Sequence, residues 1–428
     1  MIRYIKIVNS GDQLFMSDKI NEPSAPVSRP SSVYRPTFKG TRNVSSDTSF
    51  HRPATGNTGF KPALGGVEYT NYEDERAAVK LVRASLYKKV KSRYFWACFI
   101  PMLSGIIMTL VTIGELVWFF NSISNLSRDG LKNVTESLNH ISYGISGLVM
   151  IPANMIIAFI LFKITRVASI KDWFPKRTIN PMMLIAAVAT GFGMSSVVNL
   201  FQIILVSFTD NGQSSTFYCL FSYDTELPLA VQIIGCLYIT IIGPILEEIL
   251  YRGLVLNLCS HISRKFAFTI SAFLFALMHM NIAQFITTFV LGLIIAHFAL
   301  KSHSLLPGIL LHITFNSTTF IVDMTKYYCK NDSLTGLGFL LFLFSVAGII
   351  LFIIYLKRYP LDERTDGMKT NPLFDRDEIH NLQMFRKKEL TSSAFFSTGT
   401  FWGVIAFYGI NLLLAIIMAV GMLDKIRG

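Results

Sequence analysis

The chain opens on a polar stretch and continues as a succession of long apolar runs. Residues 1 to about 72, which include "SAPVSRPSSVYRPTFKGTRNVSSDTSFHRPATGNTG", are rich in Ser, Pro, Thr and Gly and show no apolar period. Such a segment cannot bury enough surface to offset its ordering entropy, so 1–72 is expected to be a disordered tail. Next, "YEDERAAVKLVRASLYKKVKSRYFW" sets acids before bases, the order a helix dipole favours. This predicts a basic juxtamembrane helix over 73–93, lying along an anionic membrane surface. Apolar runs then recur near 94–120, 141–162, 181–207, 229–250, 266–282, 284–300, 305–325, 337–356 and 399–421. Each approaches the length of about 20 residues that carries a helix across a hydrocarbon core. Open sheets cannot cross lipid, so the expected fold class is all-α, a polytopic transmembrane bundle of about eight or nine spans over 94–423.

Composition agrees with the pattern. Of 428 residues, 51% are hydrophobic and 15% charged, with a mean hydropathy of +0.46. That is too apolar for a soluble domain. A net charge of +12 could suggest nucleic acid, but the Lys and Arg residues flank the apolar runs, where they mark the cytoplasmic side. No nucleic-acid partner is expected. With the N-terminus inside, the cytoplasmic connections carry 23 Lys and Arg and the outer ones 6. That bias orients the chain and makes the tail, the 163–180 connection and the 357–396 connection cytoplasmic. The five cysteines show no C-x-x-C spacing, so neither a zinc knuckle nor a disulfide framework is expected. The first residues lack the apolar run of about 7–15 residues that marks a signal peptide. Phe- and Ile-rich composition without a transit peptide points to a bacterial plasma membrane rather than the endoplasmic reticulum.

Against this background the charges inside apolar runs stand out. In "GPILEEILYRGLVLN" two carboxylates are adjacent, and Arg252 follows four residues after Glu248 but five after Glu247. Residues four apart share a helical face, so the ion pair is assigned to Arg252 and Glu248, leaving Glu247 free. An ionisable group inside lipid needs a partner or a water-filled cavity. "FLFALMHMN" places His279 four residues after Phe275, and "LPGILLHITFNS" places His312 four before Asn316. At about 1.5 Å per residue from the nearest cytoplasmic turns, Glu247, His279, His312 and Asn316 lie roughly 16, 22, 12 and 18 Å deep. The four agree in depth to within about two helical turns. His297 reads as a packing histidine.

These groups support two routes to amide hydrolysis. A carboxylate in such a cavity can act as general base on water, with a histidine positioning that water and another donor facing the oxyanion. Alternatively, Glu247, His279 and His312 supply the N and O donors that would hold zinc with an open water position. The residues alone leave both open. Other protease classes lack their signatures: the sequence holds neither H-E-x-x-H nor G-x-S-x-G.

The trio E-E-x-x-x-R, F-x-x-x-H and H-x-x-x-N resembles the signature of the CPBP family of intramembrane proteases. That family includes the type II CAAX prenyl endopeptidases and the abortive-infection-like (Abi) proteins. The resemblance covers about 229–323. It implies that Glu247 activates water, Glu248 and Arg252 order the helix end, His279 positions the water or binds a metal, and His312 with Asn316 stabilises the oxyanion. The implied activity is endoproteolysis of membrane-associated or prenylated substrates in a cytoplasm-facing cavity. The implied partners are membrane lipid and a peptide or protein substrate at the membrane. A cytoplasmic partner of the tail is the alternative to a passive extension. Two rival functions are a catalytically silent CPBP-like scaffold, as in bacteriocin immunity, and a transporter, whose charges would spread through the bilayer depth.

Overall fold

The computed structural model describes residues 72–123, 149–165, 173–174, 179–209, 229–260, 262–279, 282–328, 333–359, 378, 381–382 and 392–427. The tail before Tyr72 and most of the 357–396 connection lie outside them. Among the described residues every element is helical. The longer ones are α1 (Tyr72–Ile123), α2 (Val149–Thr165), α3 (Pro181–Thr209), α4 (229–260), α5 (Arg264–Leu277), α6 (Ile282–Ser302), α7 (Leu306–Tyr328), α8 (Ser333–Arg358) and α9 (Gly399–Arg427).

Among the described residues four stretches are long and apolar enough to cross a membrane: Glu73–Val111, Pro181–Asn199, Gln232–Ser260 and Gln284–Ser302. Shorter apolar helices among the same residues are Val149–Thr165, Leu306–Val322 and Gly399–Leu414. Large apolar side chains stand on the outer surface as well as in the core. Phe159 and Phe339 are 63% exposed, whereas Glu248 and Arg252 are 0% exposed. Apolar groups face outward because the surrounding solvent is itself apolar, and charges turn inward to find partners. The chain is a multi-pass integral membrane protein.

Two expectations change. The helix of the 266–282 run stops short: α5 has 14 residues, a rise of about 21 Å against a core of about 30 Å. It ends before His279, which sits in the turn that leads to α6. In addition, α1 is a single helix of 52 residues whose one proline is Pro101. The basic stretch 73–93 therefore continues into the first span as one helix, with no Gly or Pro between them to turn it onto the surface.

The bundle is assembled where small residues let backbones approach, the usual device inside lipid. α3 packs against both α7 and α8. A Cβ on Gly191 would lie 2.6 Å from the Leu311 carbonyl, and one on Gly348 would lie 1.9 Å from the Ala189 carbonyl. Neither position has room for a side chain. α1 packs along α9, α5 pairs with α6, and α7 touches both α6 and α4. This brings α4, α5, α6 and α7 around one point.

Candidate active site

α4 is a helix with two wide turns. Tyr238–Ile242 and Ile249–Leu256 are π-helical, and the α-helical turn Gly243–Glu248 between them carries both glutamates. The first wide turn is explained by Pro244, which has no N–H and crowds the preceding turn. The Gly243 N–H accordingly reaches back five residues to the Tyr238 carbonyl. The second is held by side chains. Ser271 Oγ donates to the Tyr251 carbonyl at 3.0 Å, Asn257 Nδ2 to Gly253 at 2.8 Å, and Trp173 Nε1 to Gly253 at 3.2 Å. Single-turn π segments of this kind recur at functional sites. Hydrophobic periodicity could not reveal them, and "GP" inside an apolar run was the available signal.

Glu248 and Arg252 pair as their spacing predicts. Arg252 Nη1 donates to Glu248 Oε1 at 2.9 Å, and both side chains are fully buried. The guanidinium has two further contacts that span long sequence separations. Nη2 donates to the Gly292 carbonyl at 3.0 Å, and the planar group lies 4.4 Å over the Phe275 ring. Cation–ring contact strengthens where water is excluded.

His312 does not stand apart with Asn316. Its Nδ1 is 2.9 Å from Glu248 Oε1, and its Nε2 is 3.7 Å from Glu247 Oε2. It thus bridges the two glutamates, and Glu247 is not left free. The Glu247 side chain keeps 15% exposure against 2% for His312 and 1% for Glu248. Of the two carboxylates, Glu247 is the one that reaches accessible space.

His279 follows the C-terminal end of α5, and its Nδ1 lies 3.1 Å from the Phe275 carbonyl. A carbonyl only accepts, so Nδ1 carries the proton, and the imidazole caps a carbonyl that the helix end leaves orphaned. A neutral ring then offers Nε2 as a lone pair. His279 is within electrostatic reach of Glu247 and His312. Phe275 touches both imidazoles edge-on, at 5.0 Å from His279 and 5.6 Å from His312. Phe275 therefore buttresses three charged or polar groups at once, where the sequence pointed to His279 alone. Asn316, one turn beyond His312, donates Nδ2 to the Ile239 carbonyl at 2.8 Å. His297 packs edge-on to Tyr355 at 5.6 Å on the far side of α6, outside the cluster.

The structure therefore gathers Glu247, Glu248, Arg252, His279 and His312 around Phe275, at the junction of α4–α7. Residues 229–318 match the family model described as Type II CAAX prenyl endopeptidase Rce1-like. This region is similar to the type II CAAX prenyl endopeptidase Rce1-like family. The Rce1-like region takes in α4, α5, α6 and the first half of α7, and with them every residue of the cluster. α1 to α3, α8 and α9 lie outside the match; of these, α1 packs on α4 and α5, and α3 on α6 and α7. Comparison with curated proteins and with solved structures gives no match.

A zinc ion at this cluster would need side-chain N and O donors converging on one point. Both imidazoles have Nδ1 engaged by the protein, a common way of presenting Nε2 to an ion. Among the described residues no three of His, Cys, Asp and Glu are placed to share one ion. Glu248 is turned toward Arg252 and His312 instead.

Proposed function

We propose that this protein is an intramembrane endopeptidase that hydrolyses peptide bonds of membrane-associated or prenylated substrates with water activated by Glu247. The observation that carries the reading is the asymmetry of the two carboxylates. Glu248 is buried and shared between Arg252 and His312, while Glu247 is partly accessible and faces an imidazole nitrogen.

In this mechanism one water donates a hydrogen bond to Glu247 and the other to Nε2 of His279, leaving its oxygen lone pair aimed at the scissile carbonyl. Glu247 takes the proton as the C–O bond forms. His312, held through Nδ1 by Glu248, presents Nε2 toward the oxyanion, much as a carboxylate supports the imidazolium of a serine-protease triad. With His312 protonated, Arg252, Glu248, His312 and Glu247 sum to zero charge. They still do so, counting the oxyanion, after the proton has moved to Glu247. A cluster that stays neutral avoids the cost of a net charge in lipid. Glu247 then passes the proton to the departing nitrogen, the C–N bond breaks, and an acid and an amine leave.

The wild-type protein in detergent is expected to cleave members of a random peptide library, with equal rates with and without a chelator. Cleavage abolished by the chelator and restored by zinc would move the reading to a metalloprotease. No cleavage of any library member or prenylated peptide would favour a scaffold.

The orientation we propose rests on the Lys and Arg bias and puts the site within reach of the cytoplasm. In a background without native cysteines, Lys163→Cys should resist an impermeant thiol reagent in intact cells and react after permeabilisation. Asn121→Cys, at the other end of the bundle, should react at once. The opposite pattern would invert the topology. The composition favours a bacterial plasma membrane as the setting.

A further inference from the structure

Asn316 is a signature residue whose hydrogen bond points away from the reacting centre. Its amide donates to the Ile239 carbonyl at 2.8 Å, across 77 residues of sequence, from α7 to the first wide turn of α4. The identity of that acceptor matters. In the π register set by the Gly243 N–H bonding to Tyr238, the next donor in line for Ile239 is the residue at 244. That residue is Pro244, which has no N–H. The carbonyl of Ile239 is therefore orphaned by the proline, inside a membrane-spanning segment where lipid supplies no donors.

The second wide turn has the same construction. The carbonyls of Tyr251 and Gly253 are satisfied by Ser271, Asn257 and Trp173, none of which belongs to the acid–imidazole cluster. Side-chain donors, Asn257 of α4 itself among them, thus hold both ends of the short α-helical turn that carries Glu247 and Glu248. The amide of Asn316 supplies this support on one side. Its partner Ile239 lies eight residues, about two turns, before Glu247.

We propose that Asn316 is a positioning residue. It supplies the N–H that Pro244 withholds, fixing the π-to-α register of α4 and through it the direction of Glu247. The catalytic part of this statement rests on the protease reading above. The hydrogen-bond part does not. The proposal makes Asn316 and Pro244 a coupled pair, which an oxyanion donor would not be. Pro244→Ala returns an N–H to the backbone at the orphaned carbonyl and removes the need for the side chain.

The test is a double-mutant cycle on the full-length protein in detergent, with a fluorescence-quenched peptide selected by wild-type cleavage. Asn316→Ala is expected to lower kcat per folded molecule with KM little changed. The same substitution in a Pro244→Ala background should cost less, a non-additivity of at least about fivefold. An equal kcat loss in both backgrounds would overturn the proposal in favour of a direct oxyanion role. A kcat per folded molecule that does not change would overturn it in favour of a purely structural role. Should Pro244→Ala fail to fold, hydrogen exchange on Asn316→Ala alone decides. Faster exchange confined to α4 amides near 243–249 supports the proposal, and unchanged exchange there refutes it. If wild-type protein cleaves nothing, the protease reading fails, while the exchange experiment still reports whether Asn316 holds the helix.

Discussion

Arg252→Ala is expected to deplete the folded protein from the membrane, with loss of activity following from loss of structure. The guanidinium is wholly buried and has three duties: it pairs with Glu248, donates to the Gly292 carbonyl, and covers the Phe275 ring. Truncation leaves Glu248 with His312 as its only hydrogen-bonding side chain among the described residues, and its second oxygen, Oε2, already has no hydrogen-bond partner there. Breaking a buried pair on one side typically costs about 3–5 kcal/mol, a large part of a total stability of about 5–15 kcal/mol. Arg252→Lys keeps the charge but neither the planar stack nor the forked donation, so it should fall between the two. Removing both charges with Glu248→Leu and Arg252→Met should restore much of the folded yield, because no uncompensated ion remains. That double variant should still be inactive, since His312 loses the carboxylate that holds its Nδ1. Membrane abundance and unfolding midpoint in detergent read these effects. Normal levels and a normal midpoint for Arg252→Ala would contradict the assignment.

The sequence made the class of fold, the membrane setting and the identity of the clustered residues legible for simple reasons. Apolar runs of spanning length have few alternatives in lipid, and a charge inside one must be partnered. The Glu248–Arg252 pair was readable because four-residue spacing is a local property of a helix. What was hidden depended on long-range contacts or on departures from helical regularity. The bridging of Glu247 and Glu248 by His312 joins α7 to α4, and no spacing rule links residues 64 apart. The seat of Arg252 over Phe275 depends on how α5 meets α4. The early end of α5 could not be seen because "FALMHMN" stays apolar through the turn, so His279 was read inside a span when it caps a helix end. The two wide turns left one mark, the proline at 244. Continuity of α1 was obscured by its change of composition near residue 93, which signals a change of solvent and leaves the helix intact.

Glu247→Gln has the largest expected effect on chemistry with the smallest on structure. The glutamine keeps the shape of the side chain and removes a charge from a poorly solvated place, so folding should be unchanged or slightly improved. Its neighbour at 3.7 Å, His312 Nε2, is beyond direct hydrogen-bonding distance, which limits the structural loss. A carboxamide cannot accept a proton from water in the bond-forming step. Loss of a general base typically costs about 10²–10⁴-fold in rate. His279→Ala should give a defect of similar size, and the double variant should be little worse than either single one, because groups that act on one water are not additive.

The most direct measurement is therefore cleavage by purified Glu247→Gln, normalised to folded protein, beside wild type on the same peptide. The account predicts a correctly inserted protein of normal stability whose cleavage is at least about a hundredfold slower. A Glu247→Gln protein that cleaves at the wild-type rate would contradict it.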